Sequence, residues 1–256
     1  MKLTSFGGAG TVTGSKHLLS HNGKHILVDC GLFQGLKNLR ELNWEPLPVA
    51  PKALDAVVLT HAHLDHSGYL PKLVRDGFRG RIYATAATRD LAELILKDSG
   101  HLQEKDAEYA NRKGFSKHKP ALPLYTVQDA ERALKQFSNV PFGKPVSLAD
   151  GATLTFRYAG HILGAATAEI DWGGKRIVFS GDLGRYDDPM LFDPQPVAEA
   201  DYVVIESTYG NRTHAPSDAA EALGAVIEKT VGRGGTVVIP AFAVGRAQLL
   251  LYYLWK

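Results

Sequence analysis

The chain has 256 residues, of which 45% are hydrophobic and 22% are charged, and its formal net charge is +2. This length and composition fit one large or two small globular domains and exclude a disordered or fibrous chain. The charge is too small to indicate a nucleic-acid-binding protein by itself. Cys30 is the only cysteine, which excludes an intrachain disulfide and a zinc site built from several thiolates. Any metal site must therefore use histidine and carboxylate ligands.

Neither a membrane span nor a secretory signal is visible in the sequence. No apolar run approaches the roughly 18 residues that cross a bilayer. The segment Met1–Gly8 lacks the hydrophobic region of a signal peptide. We therefore expect no membrane partner and a cytoplasmic location.

The first part of the chain alternates strand and helix patterns. Apolar clusters between glycine and asparagine turns predict a β-meander over Lys2–Phe6, His17–Ser20 and His25–Asp29. A short β-branched run predicts a buried strand. It is followed by a helical pattern, a further strand and a second helical pattern. These elements are the strand Asp55–Thr60, the helix Ser67–Val74, the strand Ile82–Ala84 and the helix Thr88–Gly100.

The middle of the chain is less regular. The polar, lysine-rich stretch His101–Pro123 has no clear period, and we interpret it as an excursion from the core. A helix is predicted next, at Thr126–Phe137. Later apolar runs predict the strands Thr153–Tyr158, Ala166–Asp171, Arg176–Ser180 and Tyr202–Glu206. The last two are nearly all apolar, which is typical of buried central strands.

The pattern changes near Tyr209. The helix Ser217–Val231, the strand Thr236–Pro240 and a helix from Val244 predict a new βα unit. We therefore divide the chain into two domains, 1–208 and 209–256.

A cluster of histidines follows the predicted strand Asp55–Thr60. In His61-Ala62-His63-Leu64-Asp65-His66, histidines at positions i and i+2 of a loop can turn toward one point, while Asp65 and His66 face a second point. Zinc binds imidazole nitrogen and carboxylate oxygen, and a catalytic site leaves one position for water. A histidine-rich loop can also be structural or coincidental. The combination of ligand type and spacing favours a metal site that could serve two ions.

Two later residues are further candidate ligands. His161 and Asp182 each follow a predicted strand and are flanked by glycines. Alone, His161 would more often be a packed core histidine, and Asp182 a turn residue. Their order after the histidine cluster favours a role as ligands.

The motif HxHxDH is the hallmark of the metallo-β-lactamase superfamily, and the chain resembles that superfamily. Further motifs resemble its β-CASP nucleases, namely Phe6–Gly10 with Thr13–Ser15, Asp29–Gly35, Gly160–Ala165, Glu206–Gly210 and Pro240–Gln248. The resemblance is closest to the RNA-specific branch, which includes the pre-mRNA 3′-end-processing endonuclease and its prokaryotic relatives. It implies an α/β fold, with an αββα sandwich over 1–208 and the start of a β-CASP α/β domain over 209–256.

The same resemblance implies two zinc ions and assigns their ligands. His61, His63 and His161 would bind one ion, Asp65 and His66 the other, and Asp182 would bridge both. Asp29 would steady the loop His61–His66, here called the metal loop, without binding metal. The implied reaction is hydrolysis of an RNA phosphodiester, by endonuclease and also exonuclease action, through a water activated by the metals. Single-stranded RNA is the expected partner, and a homodimer is an expected assembly.

Roles in catalysis and substrate binding are also implied. Asp65 would accept a proton from the attacking water, Asp182 would fix the separation of the metals, and Glu206 would orient a general-acid histidine. Arg246, Thr208 and Tyr209 are the expected substrate contacts. Glu206 can alternatively be an ordinary carboxylate at a strand end, and Arg246 a solvated residue at a helix start.

Two other functions stay open. A small-molecule metallo-hydrolase of the glyoxalase or lactonase type would share the fold but lack the motifs Glu206–Gly210 and Pro240–Gln248. A non-catalytic subunit of an RNA-processing assembly would be expected to lose metal ligands, and the six candidate ligands are all present.

The resemblance also has a gap. Relatives carry a last zinc-ligand histidine, a general-acid histidine and another β-CASP motif farther downstream. His214 is the only histidine after His161, and its sequence context matches none of these motifs. The sequence therefore resembles a member truncated at its C-terminus. If 256 residues were the whole polypeptide, we would expect an incomplete second zinc site, exposed apolar surface, and weak or absent nuclease activity.

Overall fold

The computed structural model describes residues 1–213 and 218–256, so His214 and the predicted helix start at Ser217 lie outside the described residues. The strands are β1 (Lys2–Gly7), β2 (Lys16–His21), β3 (Lys24–Val28), β4 (Ala56–Val58), β5 (Arg81–Ala84), β6 (Phe137–Asn139), β7 (Val146–Ser147), β8 (Thr153–Tyr158), β9 (Ala166–Trp172), β10 (Lys175–Phe179) and β11 (Tyr202–Val204). The helices are α1 (Lys37–Glu41), α2 (Leu64–Ser67), α3 (Leu70–Arg75), α4 (Ala86–Lys113), α5 (Val127–Leu134), α6 (Ala219–Val231) and α7 (Arg246–Trp255), with a short 3-10 turn at Pro51–Ala53.

The first sheet contains β1 to β6 in chain order. The pairs β1–β2 and β2–β3 are antiparallel, and β3 to β6 are parallel. Asn22 and Gly23 close the hairpin between β2 and β3 with positive φ angles of 48° and 73°. Such a pair suits a two-residue hairpin turn, because Asn and Gly tolerate this conformation best. The β-meander predicted from the sequence is confirmed.

The second sheet has the order β11-β10-β9-β8-β7 and packs on the first. Because side chains alternate along a strand, Ile26 and Val28 of β3 face the second sheet together with Phe156 and Ile170. Leu27 of β3 faces the opposite way, into a core shared with the helices. The predicted mixed α/β class with two sheets is confirmed.

The strand ends bring the candidate site together. The parallel strands β3 and β4 end side by side, since Val28 is in register with Val58. Asp29 and Thr60 therefore follow at one edge of the first sheet. In the second sheet β8 ends before His161 and β10 ends before Asp182.

The stretch His101–Pro123, which has no clear period in the sequence and was interpreted as an excursion from the core, is helical over its first half. Helix α4 continues to Lys113 and ends at Gly114, which adopts a left-handed conformation with φ 68°. No proline or glycine interrupts the sequence from His101 to Lys113, and Lys105 forms an ion pair with Glu108 at 2.9 Å. The helix is polar on most of its exposed surface, so it shows no apolar period there.

Two further expectations need correction near the end of the chain. Tyr202–Glu206 was expected to be a buried central strand, but β11 lies at the edge of its sheet and Tyr202 is 60% exposed. Thr236–Pro240 forms no strand, and within residues 1–213 and 218–256 it pairs with no other strand. Val238 is 84% exposed. A β-branched run forms a strand only where a neighbour accepts its hydrogen bonds.

Some elements were not predicted. Helix α1 and the short strands β6 and β7 have five residues or fewer and lack a long apolar pattern. In the described part of the chain, no helix combines the length and apolar character that a membrane span requires.

Candidate metal centre

Side chains from three loops meet at one point. His61 and His63 follow β4, His161 follows β8, and Asp182 follows β10; one ligand atom of each lies within 4.8 Å of the others. Nε2 of His161 is 3.1 Å from Nδ1 of His63 and 3.5 Å from Oδ2 of Asp182. Nε2 of His61 is 3.7 Å from the same oxygen. Ligands at about 2.0 to 2.1 Å from a tetrahedral zinc stand about 3.3 Å apart, so these distances fit a metal site.

Unpartnered ring nitrogens support the same conclusion. Nε2 of His61 and Nε2 of His63 are buried and have no hydrogen-bond partner among the described residues. A buried polar atom without a partner costs about 1 to 3 kcal/mol. Nε2 of His61 is also the atom that faces Asp182. A bound cation at this point would satisfy that nitrogen, so the residues present fit a metal.

A second set of donors adjoins the first. Nε2 of His66 lies 3.2 Å from Oδ1 of Asp182 and 3.9 Å from Oδ2 of Asp65. Asp182 thus presents one oxygen to His66 and the other to His61 and His161. The structure brings together all six candidate ligands of the sequence analysis, and the position of Asp182 between the two sets suits a bridging carboxylate.

Asp29 connects the metal loop to the end of β3. Its carboxylate accepts hydrogen bonds from the backbone nitrogen of Thr60 at 2.8 Å and from Nδ1 of His66 at 2.8 Å. The hydroxyl of Thr60 donates to the same carboxylate, at 2.9 Å to Oδ2. That hydroxyl also lies 3.1 Å from Nδ1 of His61. Since its one proton goes to Asp29, we infer that it accepts from Nδ1 of His61, which leaves the Nε2 lone pair free.

Burial and neighbouring charges set the protonation of the histidines. Burial, reinforced by the other histidines, lowers the pKa of His61 well below its usual value. Burial also lowers the pKa of His63 and His161. At neutral pH these three rings are therefore uncharged, which is the form that binds a metal.

His66 behaves in the opposite way. Burial disfavours its charged form, but Asp29 and Asp182 outweigh burial and raise the pKa of His66 well above its usual value. Burial likewise works against the charged form of Asp182, yet the contact with His66 lowers the pKa of that carboxyl overall. Burial raises the pKa of Asp65. Binding of a cation at His66 would therefore release a proton.

Two glycines allow the loops to approach one another. Gly31 lies against the backbone of Asp65 and His66, where a Cβ would stand 2.5 Å from the nitrogen of His66 and closer still to the carbonyl of Asp65. A Cβ on Gly184 would stand 2.8 Å from the backbone nitrogen of His161. Neither contact is evident from sequence spacing, because each joins segments that are far apart in the chain.

Glu206 supports the loop that carries Asp182. Its carboxylate accepts hydrogen bonds from the backbone nitrogens of Leu183 at 3.1 Å and Thr208 at 3.2 Å. Leu183 directly follows Asp182. In the described residues Glu206 therefore positions backbone, and its predicted action on a general-acid histidine stays a prediction.

The segment Pro240–Gln248 lies beside the metal centre. The ring of Phe242, which is exposed, has its centroid 6.1 Å from that of His63. A Cβ on Gly245 would meet the side chain of Ile162, next to His161. Sequence reasoning did not single out Phe242, because nothing in the pattern distinguishes it from a core aromatic residue.

The expected substrate contacts lie on the surface of the same region. Arg246 is exposed and begins α7. Thr208 and Tyr209 are exposed and follow Glu206. The positions agree with an accessible surface near the site, but their contacts with substrate stay predictions.

Comparisons with known proteins bear on the family. The family model of the Metallo-beta-lactamase superfamily matches residues 11–240. The chain is 41% identical over 256 residues to Ribonuclease TTHA0252 of Thermus thermophilus, a match that covers 100% of this chain and 55% of the relative. It is 35% identical over 262 residues to Transcription termination factor FttA of Methanosarcina mazei, covering 99% and 39%.

A third relative is Endoribonuclease YSH1 of Candida glabrata, which is 30% identical over 256 residues and covers 98% of this chain and 32% of the relative. The chain spans about half the length of the first relative and less of the other two. The predicted resemblance to β-CASP RNA-processing nucleases is confirmed by these matches. With its two packed sheets and its HxHxDH loop at their edge, the chain belongs to the metallo-β-lactamase superfamily.

Proposed function

We propose that this chain carries the metal centre of a zinc-dependent hydrolase that cleaves RNA. The observation that carries the proposal is the convergence of six candidate ligands from three loops. The names of the relatives, which include a ribonuclease and an endoribonuclease, support RNA as the substrate. The motifs Glu206–Gly210 and Pro240–Gln248 favour this function over a small-molecule hydrolase.

The proposal includes two zinc ions. His61, His63 and His161 would hold the first, Asp65 and His66 the second, and Asp182 would contact both. Bound zinc would supply Lewis-acid activation of a water molecule and neutralisation of phosphate charge.

Residues of the chain would transfer the proton and hold the metal ligands in position. The carboxylate of Asp65 would accept a proton from the attacking water. Asp29 would hold the ring of His66 through Nδ1, and Glu206 would hold the backbone beside Asp182. We retain Arg246, Thr208 and Tyr209 as proposed substrate contacts.

A cleavage assay tests the proposal. Zinc-loaded protein is incubated with labelled single-stranded RNA, with labelled duplex DNA and with a thioester. We expect RNA cleavage, at internal positions if the action is endonucleolytic and from an end if it is exonucleolytic. Turnover of the thioester without RNA cleavage would instead support the small-molecule hydrolase, and zinc binding without any turnover would support a non-catalytic subunit.

A pair of variants ties cleavage to the site. Asp182→Asn should lower both bound zinc and RNA cleavage, the latter by about 100-fold or more, since even the loss of an outer partner costs about 10- to 100-fold. Asp98→Asn makes the same chemical change at an exposed position of α4 and should leave both quantities unchanged. Equal rates for the two variants would place the reaction elsewhere.

Three expectations from the sequence stay predictions. They are the domain boundary between residues 208 and 209, the cytoplasmic location and the homodimer. The boundary can be checked by limited proteolysis, and the assembly by sedimentation.

A further inference from the structure

An exposed groove lies at the far end of α4, outside the metal centre. It has a volume of about 420 Å³ and is lined mainly by apolar and aromatic side chains that include Trp44, Tyr109, Phe115 and Leu122, together with the polar side chains of Gln103 and Asp106. Phe115 and Leu122 are each 66% exposed, and Trp44 is 57% exposed. We call these four residues the aromatic groove. Large aromatic side chains exposed together commonly mark a binding surface.

A basic segment borders the aromatic groove. It consists of Arg112, Lys113, Lys117 and Lys119, and the sequence from Tyr109 to Gln128 contains no acidic residue. All four basic side chains are exposed. In the chain as described, none of the three lysines forms an ion pair with a carboxylate, whereas the nearby Lys105 is paired with Glu108. The basic segment therefore offers unneutralised positive charge.

The aromatic rings and the charges are interleaved. The ring centroids of Tyr109 and Phe115 are 5.8 Å apart at an angle of 60°. The guanidinium of Arg112 lies over the Tyr109 ring at 5.5 Å. Single-stranded nucleic acids are bound by this combination, because bases stack on aromatic faces while cations contact the phosphates.

We propose that the aromatic groove and the basic segment form a second binding surface for single-stranded RNA. The inference rests on the proposed function, from which it takes RNA as the ligand. A duplex fits less well, because its bases are already stacked on one another and cannot reach the aromatic rings. The three unpaired lysines also favour a ligand with negatively charged phosphates over an uncharged apolar partner.

The surface lies at the end of α4 opposite to the one that contacts the loop of His161. At the start of this helix the hydroxyl of its N-cap residue, Thr85, donates to the carbonyl of Gly164, in the loop that carries His161. A helix rises about 1.5 Å per residue, so 28 residues span about 40 Å. The aromatic groove would therefore hold a different part of the strand from the part at the metal centre. Only long RNA molecules should depend on it.

Binding measurements test this surface directly. Fluorescence anisotropy is recorded in a chelator, so that no RNA is cleaved, with a long oligouridylate and with one too short to reach from the metal centre to the groove. Phe115→Ala changes no charge and should weaken binding of the long RNA at least about 5-fold. Binding of the short RNA should not change. The thermal unfolding midpoint checks that the variant is folded.

The lysines are tested with a matched control. Replacing Lys113, Lys117 and Lys119 together by Gln should reduce the slope of log affinity against log salt by about 2, since each phosphate contact contributes about 0.7. A second triple variant, in which the exposed residues Lys52, Lys135 and Lys144 become Gln, loses the same charge at other places. It should keep the wild-type slope.

Several outcomes would overturn the inference. Wild-type affinity of Phe115→Ala for long RNA, or equal effects of the two triple variants, would show only general attraction between charges. Competition by an acidic peptide but not by RNA would assign the surface to a protein partner. RNA that binds through the groove but is never cleaved in zinc would refute the proposed function alone. RNA that is cleaved with no effect of the groove variants would refute this inference alone.

Discussion

Gly31→Ala should disrupt the metal centre by adding a single methyl group. The segment around Gly31 is hydrogen-bonded to the metal loop, since the nitrogen of Cys30 donates to the carbonyl of His66 at 2.7 Å and that of Leu32 to the carbonyl of Leu64 at 2.8 Å. The new Cβ would stand 2.5 Å from the nitrogen of His66, against an ordinary contact of 3.4 Å or more. The obstacle is backbone and cannot rotate away.

The magnitude follows from that displacement. The loop that carries Asp65 and His66 must move by at least about 1 Å, and a misplacement of this size can cost about 100-fold in activity. Forcing extra volume into a packed region also costs about 1 to 3 kcal/mol of stability. We expect zinc affinity to fall about 10- to 100-fold, measured by competition with a chromophoric chelator, together with a lower thermal unfolding midpoint.

A control and a second variant make the test decisive. Gly224→Ala, in α6, meets no atom within 4 Å and should leave zinc affinity unchanged. In Gly184→Ala the new Cβ would clash with the backbone of Gly160 and His161, so this variant should weaken zinc binding independently. A folded Gly31→Ala protein with wild-type zinc affinity would refute the argument that this contact fixes the metal loop.

Three other changes should have measurable effects. Asp29→Asn should lower zinc affinity about 10- to 100-fold in a chelator titration, because an amide orients His66 less well than a carboxylate. Lys16→Met should stabilise the protein at pH 7 by about 1 to 3 kcal/mol in urea unfolding, because burial lowers the pKa of this lysine from 10.5 to about 8. The loss of the cation–π contacts of Lys16 offsets part of this gain in stability. The gain should shrink as the pH rises from 8 to 10.5, and a variant without any gain would contradict the assigned pKa. In chelator, the raised pKa of His66 should contribute stability that is complete below pH 6.5 and is lost as the pH rises through the folded-state pKa, so His66→Gln should flatten this dependence.

The sequence located the candidate metal ligands because their signal is local. His61, His63, Asp65 and His66 lie within six residues after a β-branched strand, and the ends of parallel strands meet at one edge of a sheet. His161 and Asp182 could be added because each follows a strand and the resemblance supplied their order. Local pattern and family motif agreed at these positions.

Long-range contacts could not be predicted in the same way. The hydroxyl of Thr60 lies between Asp29 and His61, but a threonine at a strand end has no distinctive spacing. The role of Gly31 depends on backbone pairing with a loop more than 30 residues away. The exposed half of α4 was missed because a polar helix has no apolar stripe, although the absence of proline and glycine was a usable signal.

The backbone of Asp29 links these observations. Its φ of 58° is unusual for a residue with a side chain, and such a conformation costs about 1 to 2 kcal/mol. The conformation directs one carboxylate to the hydroxyl of Thr60 and to Nδ1 of His66 at once. The ring of His66 and the ring of His61, which contacts Thr60, then turn their Nε2 atoms toward Asp182. Because this strained residue orients two rings of the metal centre, its cost is best explained by preorganisation of the donors before any cation binds.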